Sequence, residues 1–208
     1  RTPTFDELED TLLNLMKKSD TIMNRAVQEE VAFIFARGTA PIYTDEITDL
    51  IDVLSKARYL DIVSRKQSDL YRLVQSDWER LKPSFESKES IDDLLASKSR
   101  VSELHQISII LQKLDGVDRF ILSDSTENSD LANLIMSDWN ALETELAFAT
   151  SVDDILKSES KIVQMSQVID ISSRISKSVE ISQASSLDSD LVDDWKLLLE
   201  RVENAKSI

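Results

Sequence analysis

Glycine and proline are scarce in this chain, at 2 and 3 among 208 residues. Sandwiches, barrels and doubly wound sheets turn on these residues, so their shortage points to long helices. Phosphate-cradling loops and dinucleotide fingerprints each need several closely spaced glycines and are excluded on the same count. Cysteine is absent and there is a single histidine. Disulfide frameworks, zinc ribbons, thiol nucleophiles and most histidine chemistry fall away with them. No apolar run approaches the roughly 18 residues that suggest a membrane span, and no signal or lipidation pattern is legible. No Asn-x-Ser/Thr sequon occurs, which favours a cytoplasmic chain. The opening Arg1-Thr2-Pro3 and a close in helical pattern at Lys206-Ser207-Ile208 read as a segment of a longer protein.

What is present is acid. Asp and Glu number 39 against 24 Lys and Arg, for a formal charge of -15. Nucleic acids and anionic lipid surfaces need clustered cations, and none is found, so neither is an expected partner. Basic segments of protein partners would instead be drawn in. Acidity that merely keeps a helical chain in solution is the plainer account.

With 41% hydrophobic residues the chain can build a core. Its periodicity predicts six long helices, over 4–37, 44–82, 90–122, 129–149, 151–181 and 187–206. Thr4 with Glu7, Ser90 with Asp93 and Ser151 with Asp154 have the spacing of capping boxes, Thr44 is a further cap, and Gly38 suits a helix end. Stripes three and four apart run through Leu8, Leu12, Leu15, Ile22, Ala26 and Phe33, then through Ile47, Leu50, Leu54, Ala57, Leu60, Val63, Leu70, Val74 and Leu81, with Pro83 disturbing or ending that helix. Later stripes join Leu94, Val101, Leu104, Ile107, Leu111, Leu114 and Ile121; Leu131, Ile135, Leu142 and Leu146; Val152, Ile155, Ile162, Met165, Ile169, Ile175 and Val179; and Leu187, Leu191, Leu198 and Val202. The expected class is all-α, an elongated antiparallel bundle or tandem repeats, divided into a first bundle at 1–122 and a second at 123–208.

The chain also repeats itself. SDWERLKPSFESKESIDDLLASKSRV from Ser76 aligns without a gap on SDWNALETELAFATSVDDILKSESKI from Ser137, at an offset of 61 residues. Asp190-Leu191 followed by Asp194-Trp195 is a shorter third copy. Trp78, Trp139 and Trp195 are therefore repeat markers, and recurrence at one helical position makes them expected core anchors rather than an aromatic cage.

A helix carrying Asp-Trp-x-x-Leu, then a polar break and another long amphipathic helix, resembles the spectrin-repeat superfamily, whose members include the rods of α-actinin, spectrin, dystrophin and the spectraplakins. The resemblance implies that Asp138-Trp139-Asn140-Ala141-Leu142 runs through Leu146 into 152–179 as a junction between successive three-helix units. The unit here spans two helices rather than three, and the first helix lacks its own tryptophan.

Few residues invite chemistry. His105, beside Val101 and Leu104, reads as a boundary residue, and no second His, Cys or serine–base pair completes a catalytic group. The pairs Asp92-Asp93, Asp153-Asp154 and Asp193-Asp194 could suggest Mg²⁺, but the first two fall in first helical turns, where carboxylates complement the dipole. No catalytic, cofactor or metal site is expected. Residues 31–36 are apolar all round the helix and lead to Ile42 and Tyr43. This is either an enclosed end of the bundle or a docking patch, with Phe35, Ile42 and Tyr43 as the candidate contacts. The serines near 123–127 invite phosphorylation, though helix capping explains them as well.

The expected function is a non-enzymatic structural or scaffolding rod of a larger cytoskeletal or linker protein, serving spacing, homodimerisation or partner docking. A helical subunit of a vesicle-tethering or organelle-linking complex is the alternative, and a metal-dependent helical enzyme a more distant third.

Overall fold

The computed structural model describes residues 1–19, 22–63, 68–122, 130–184 and 189–203. Among these the chain is all-helical, with α1 (Phe5–Lys18), α2 (Arg25–Ala36), α3 (Thr44–Val63), α4 (Asp69–Glu86), α5 (Ile91–Leu95), α6 (Lys98–Ile121), α7 (Asp130–Ala147), α8 (Val152–Lys157), α9 (Glu159–Ala184) and α10 (Ser189–Glu203). It divides into two compact units, Arg1–Ser108 and Ile109–Ile208. No helix of the described residues is long and apolar enough to cross a membrane. The sequence positions 123–128, 187 and 204–208 lie outside the described residues.

Four of the six expected helices are broken in two. The first stops at Ser19, whose N–H donates to the Met16 carbonyl, and α2 restarts from Asn24, whose side chain accepts from Ala26 N–H at 2.7 Å. Ile22 and Met23 in that connection are buried, so the apolar period runs on through a stretch that is not helix. The break resets the phase. The buried face of α2 is Val27, Val31 and Ile34, while Ala26 and Phe33, expected inside, are exposed. The second expected helix divides between α3 and α4, where Ser68 caps the new start by accepting from Tyr71 N–H at 3.3 Å. The buried residues of α4 are Tyr71, Val74, Trp78 and Phe85; Leu70 and Leu81 are only half-buried. Pro83 does not end this helix, which continues to Glu86. The short helices α5 and α8 precede α6 and α9.

Local caps explain the start of α1 and the end of α2. Glu7 N–H donates to Thr4 Oγ1 at 3.3 Å while Thr4 N–H donates to Glu7 Oε2 at 2.9 Å, a complete capping box. At the end of α2, Gly38 has φ of +64°. Its N–H reaches the Phe35 carbonyl at 3.0 Å and Thr39 N–H the Ile34 carbonyl at 3.2 Å, which is the Schellman arrangement that a left-handed residue permits. Thr44 is not a cap: its hydroxyl donates back to the Ala40 and Pro41 carbonyls, and α3 begins at Thr44 itself.

In the first unit α3 is the centre. Ile47, Leu50, Val53, Leu54, Ala57, Leu60 and Val63 are all buried, on more than one face, because α1, α4 and α5 pack around it. Charged groups bridge the helices above this core. Asp61 accepts from Lys82 at 2.6 Å and from Trp78 Nε1 at 3.5 Å, tying α3 to α4. Asp49 accepts from Lys98 at 2.6 Å, tying α3 to the start of α6. Glu30 of α2 accepts from Ile91 N–H at 2.8 Å, so α5 is capped from another helix. In the second unit α9 packs on α8 and α10, and α10 on α7.

Candidate functional site

The repeat is reproduced in three dimensions. In each copy a long helix gives way to a short polar connection, then a one-turn helix, then a long helix: α4, α5 and α6 in the first, α7, α8 and α9 in the second. Ser90 and Ser151 open the short helices with nearly the same backbone, at φ -136° and -144° and ψ 159° and 163°. Buried positions correspond across the offset. Val74, Ile91, Leu94, Val101 and Leu104 match Ile135, Val152, Ile155, Ile162 and Met165.

The capping residues differ in detail. Ser90 Oγ accepts from Asp93 N–H at 3.1 Å. In the second copy the Asp154 carboxylate gathers Thr150 N–H at 3.0 Å, Ser151 N–H at 3.2 Å, both hydroxyls, and the Lys157 ammonium at 2.8 Å. Lys157 first, and these local donors after it, hold the Asp154 carboxyl well below its usual range, and Asp154 in turn raises Lys157. That carboxylate is engaged in local structure. Among the described residues no group of three or more His, Asp or Glu side chains is placed to hold a metal ion.

The three tryptophans are not equivalent. Trp78 is 1% exposed and lies 6.1 Å from the Phe85 ring; Trp139 and Trp195 are half-buried. The residues named for a partner contact also divide. Phe35 is half-buried, edge-on to Phe5 at 5.4 Å. Ile42 and Tyr43 lie in the open at the α2–α3 corner, 80% and 39% exposed, and Phe33 is 54% exposed beneath the Arg37 guanidinium, 4.1 Å from its ring centre. The segment 31–36 therefore has one enclosed side, Val31 and Ile34, and one open side. Phe33 was placed by sequence on the inner stripe, and only the phase reset at Asn24 turns it outward.

His105 is half-buried and meets Tyr59 edge-on at 5.0 Å. Burial first, then the Lys56 ammonium, lowers its pKa, with Asp52 opposing. Its surroundings favour the neutral ring.

Periodicity gave no sign of an ionic cluster between α4 and α6. Asp77, 15% exposed at its side chain, receives Arg100 at 2.7 Å and also Arg80, and Arg100 bonds Glu103 at 2.7 Å. At the corresponding place in the second unit is an open cavity of about 230 Å³, lined by Asp138, Ala141, Lys161, Gln164 and Met165. No protein-family model matches this chain, and no curated protein or solved structure matches it significantly.

Proposed function

We propose that this chain is a non-enzymatic scaffolding module of a larger cytoskeletal or linker protein, built from repeat-related helical units in the manner of spectrin-like repeats. It serves spacing, dimerisation or partner docking. The observation that carries this reading is the repeated unit itself: a pair of long helices with matched buried apolar positions at an offset of 61 residues, each pair joined by a short helix that starts after a serine. Repeats of this kind bury their faces against neighbours and leave a side for other chains. One open place is the α2–α3 corner, where Phe33, Ile42 and Tyr43 place apolar surface in water.

Sedimentation of the wild type against Ile42→Asp combined with Tyr43→Ala tests it, on the chain alone and on any isolated partner complex. Association weakened by tenfold or more in the double variant is the expected outcome. Unchanged association removes the corner from the reading. Phe35→Asp is a poorer probe, because Phe35 also packs on Phe5. Calorimetry with Mg²⁺ tests the enzymatic rival: binding heat lost in Asp92→Asn and Asp153→Asn overturns the non-enzymatic reading.

A further inference from the structure

The cavity in the second unit is lined, residue for residue, by the counterparts of the ionic cluster in the first. Adding 61 to Asp77, Arg80, Arg100, Glu103 and Leu104 gives Asp138, Ala141, Lys161, Gln164 and Met165, which are the five residues around the cavity. In the first copy the aspartate is met by two guanidinium groups of the chain itself, Arg80 and Arg100. In the second copy one arginine has become alanine. The other has become Lys161, whose Nζ turns to Glu145 at 2.9 Å. Asp138 keeps its place on the helix, is exposed where Asp77 is covered, and has no ion pair among the described residues.

We infer that this cavity is a receptor for an arginine side chain of a basic partner segment, with Asp138 as the anchoring carboxylate. The first copy shows the bound state in miniature: a guanidinium on the aspartate, a second polar group at position 103 and the apolar Leu104 below. Gln164 and Met165 repeat those two positions in the second copy. At about 230 Å³ the space is smaller than the roughly 300–1,000 Å³ of small-molecule sites, and suits one side chain rather than a whole ligand. Charge agrees. Lys161 of the lining is paired with Glu145, which leaves Asp138 as the uncompensated charge there, and the chain carries a net charge of -15 that draws cationic segments toward it. Arginine is favoured over lysine because its planar fork can meet the Asp138 carboxylate with two bonds and still stack its stem on Met165. The inference rests on the reading of this chain as a partner-docking module and names the chemistry of one docking site.

The test is titration of the full chain with three capped tripeptides, acetyl-Gly-Arg-Gly-amide and its Lys and citrulline counterparts, followed by the backbone amide resonances of Asp138, Ala141, Gln164 and Met165. The expected result is saturable shifts, with arginine binding about threefold or more tighter than lysine, and none that saturate with neutral citrulline. Asp138→Asn abolishes the arginine response. Ala141→Arg restores the residue of the first copy, fills the cavity from within and also abolishes it. Gln164→Glu, which restores Glu103, tightens binding by about threefold. Absence of saturation in the wild type, equal binding of arginine and lysine or of arginine and citrulline, or an unchanged response in Asp138→Asn overturns the inference. Because Gln164→Glu gains affinity, no fold-damaging variant decides the outcome alone. If the tripeptide fails while Ile42→Asp with Tyr43→Ala still weakens association, this site falls and the docking reading stands; the converse result removes the corner and keeps the site.

Discussion

Truncating the repeat tryptophans one at a time separates their roles, because the same substitution meets three environments. A buried aromatic ring removes roughly 150–250 Å² from water, and at about 25 cal/mol per Å² this gives an upper value of about 4–6 kcal/mol for Trp78. Its ring is 1% exposed and packs beside Phe85, so Trp78→Ala leaves a cavity that the core between α3 and α4 must absorb. We expect a loss of about 3–5 kcal/mol in the first unit, as for large aromatic deletions in other cores. Trp139 is half-buried, and the same coefficient on half the area gives about 2–3 kcal/mol as the upper value for Trp139→Ala in the second unit. Two units are present, so a single urea transition is not assumed. Circular dichroism gives the total change, and amide exchange in α3 against α9 assigns it to a unit. Variants keeping one tryptophan each, the others replaced by Phe, should place the emission of Trp78 furthest to the blue and make it the least quenched by iodide. Equal losses for Trp78→Ala and Trp139→Ala, or a Trp78→Ala cost under about 1.5 kcal/mol, would refute the reasoning from burial.

Other outcomes follow from local geometry. Gly38→Ala should destabilise by about 1–2 kcal/mol from its positive φ alone, because nothing lies within 4 Å of an added Cβ, and denaturation with urea reads it directly. Gly116→Ala, inside α6 and equally open, should instead stabilise by about 0.5–1 kcal/mol. Asp154 has a folded pKa below its ordinary value of 3.8, so its contribution is complete above that value and is lost as pH falls below it. An acid-unfolding series should therefore show a shallower decline in Asp154→Asn than in the wild type. His105 has a folded pKa below 6.5, and the neutral ring is the one the fold favours, so stability is complete above pH 6.5 and declines as pH falls through that value. His105→Gln should flatten the stability profile below pH 6.5, and a profile unchanged by the substitution would refute the assignment.

How far the fold could be read from the residues depends on what each signal measures. Apolar period reports burial, and burial was well placed where the phase is kept: Ile47 to Val63 within α3, and Leu94 to Leu114 across the short break between α5 and α6, are buried as spaced. It fails where a buried connection keeps the period going, since Ile22 and Met23 lie inside the core without belonging to a helix. There the breaks were written in capping chemistry instead, by Asn24 and Ser68, residues that a stripe of hydrophobics passes over. The overestimate of helix length and the misplaced inner face of α2 share that cause. The sequence repeat was legible in full, yet its most informative feature was the departure from it. Arg80, Arg100 and Glu103 become Ala141, Lys161 and Gln164, three substitutions that look conservative or incidental along a chain. Only when Arg80 and Arg100 are seen closing over Asp77 does the change to alanine and lysine become a space beside Asp138. Identity at repeat positions builds the same helix pair twice, and the differences decide which copy satisfies its own charges and which leaves a carboxylate for another chain to meet.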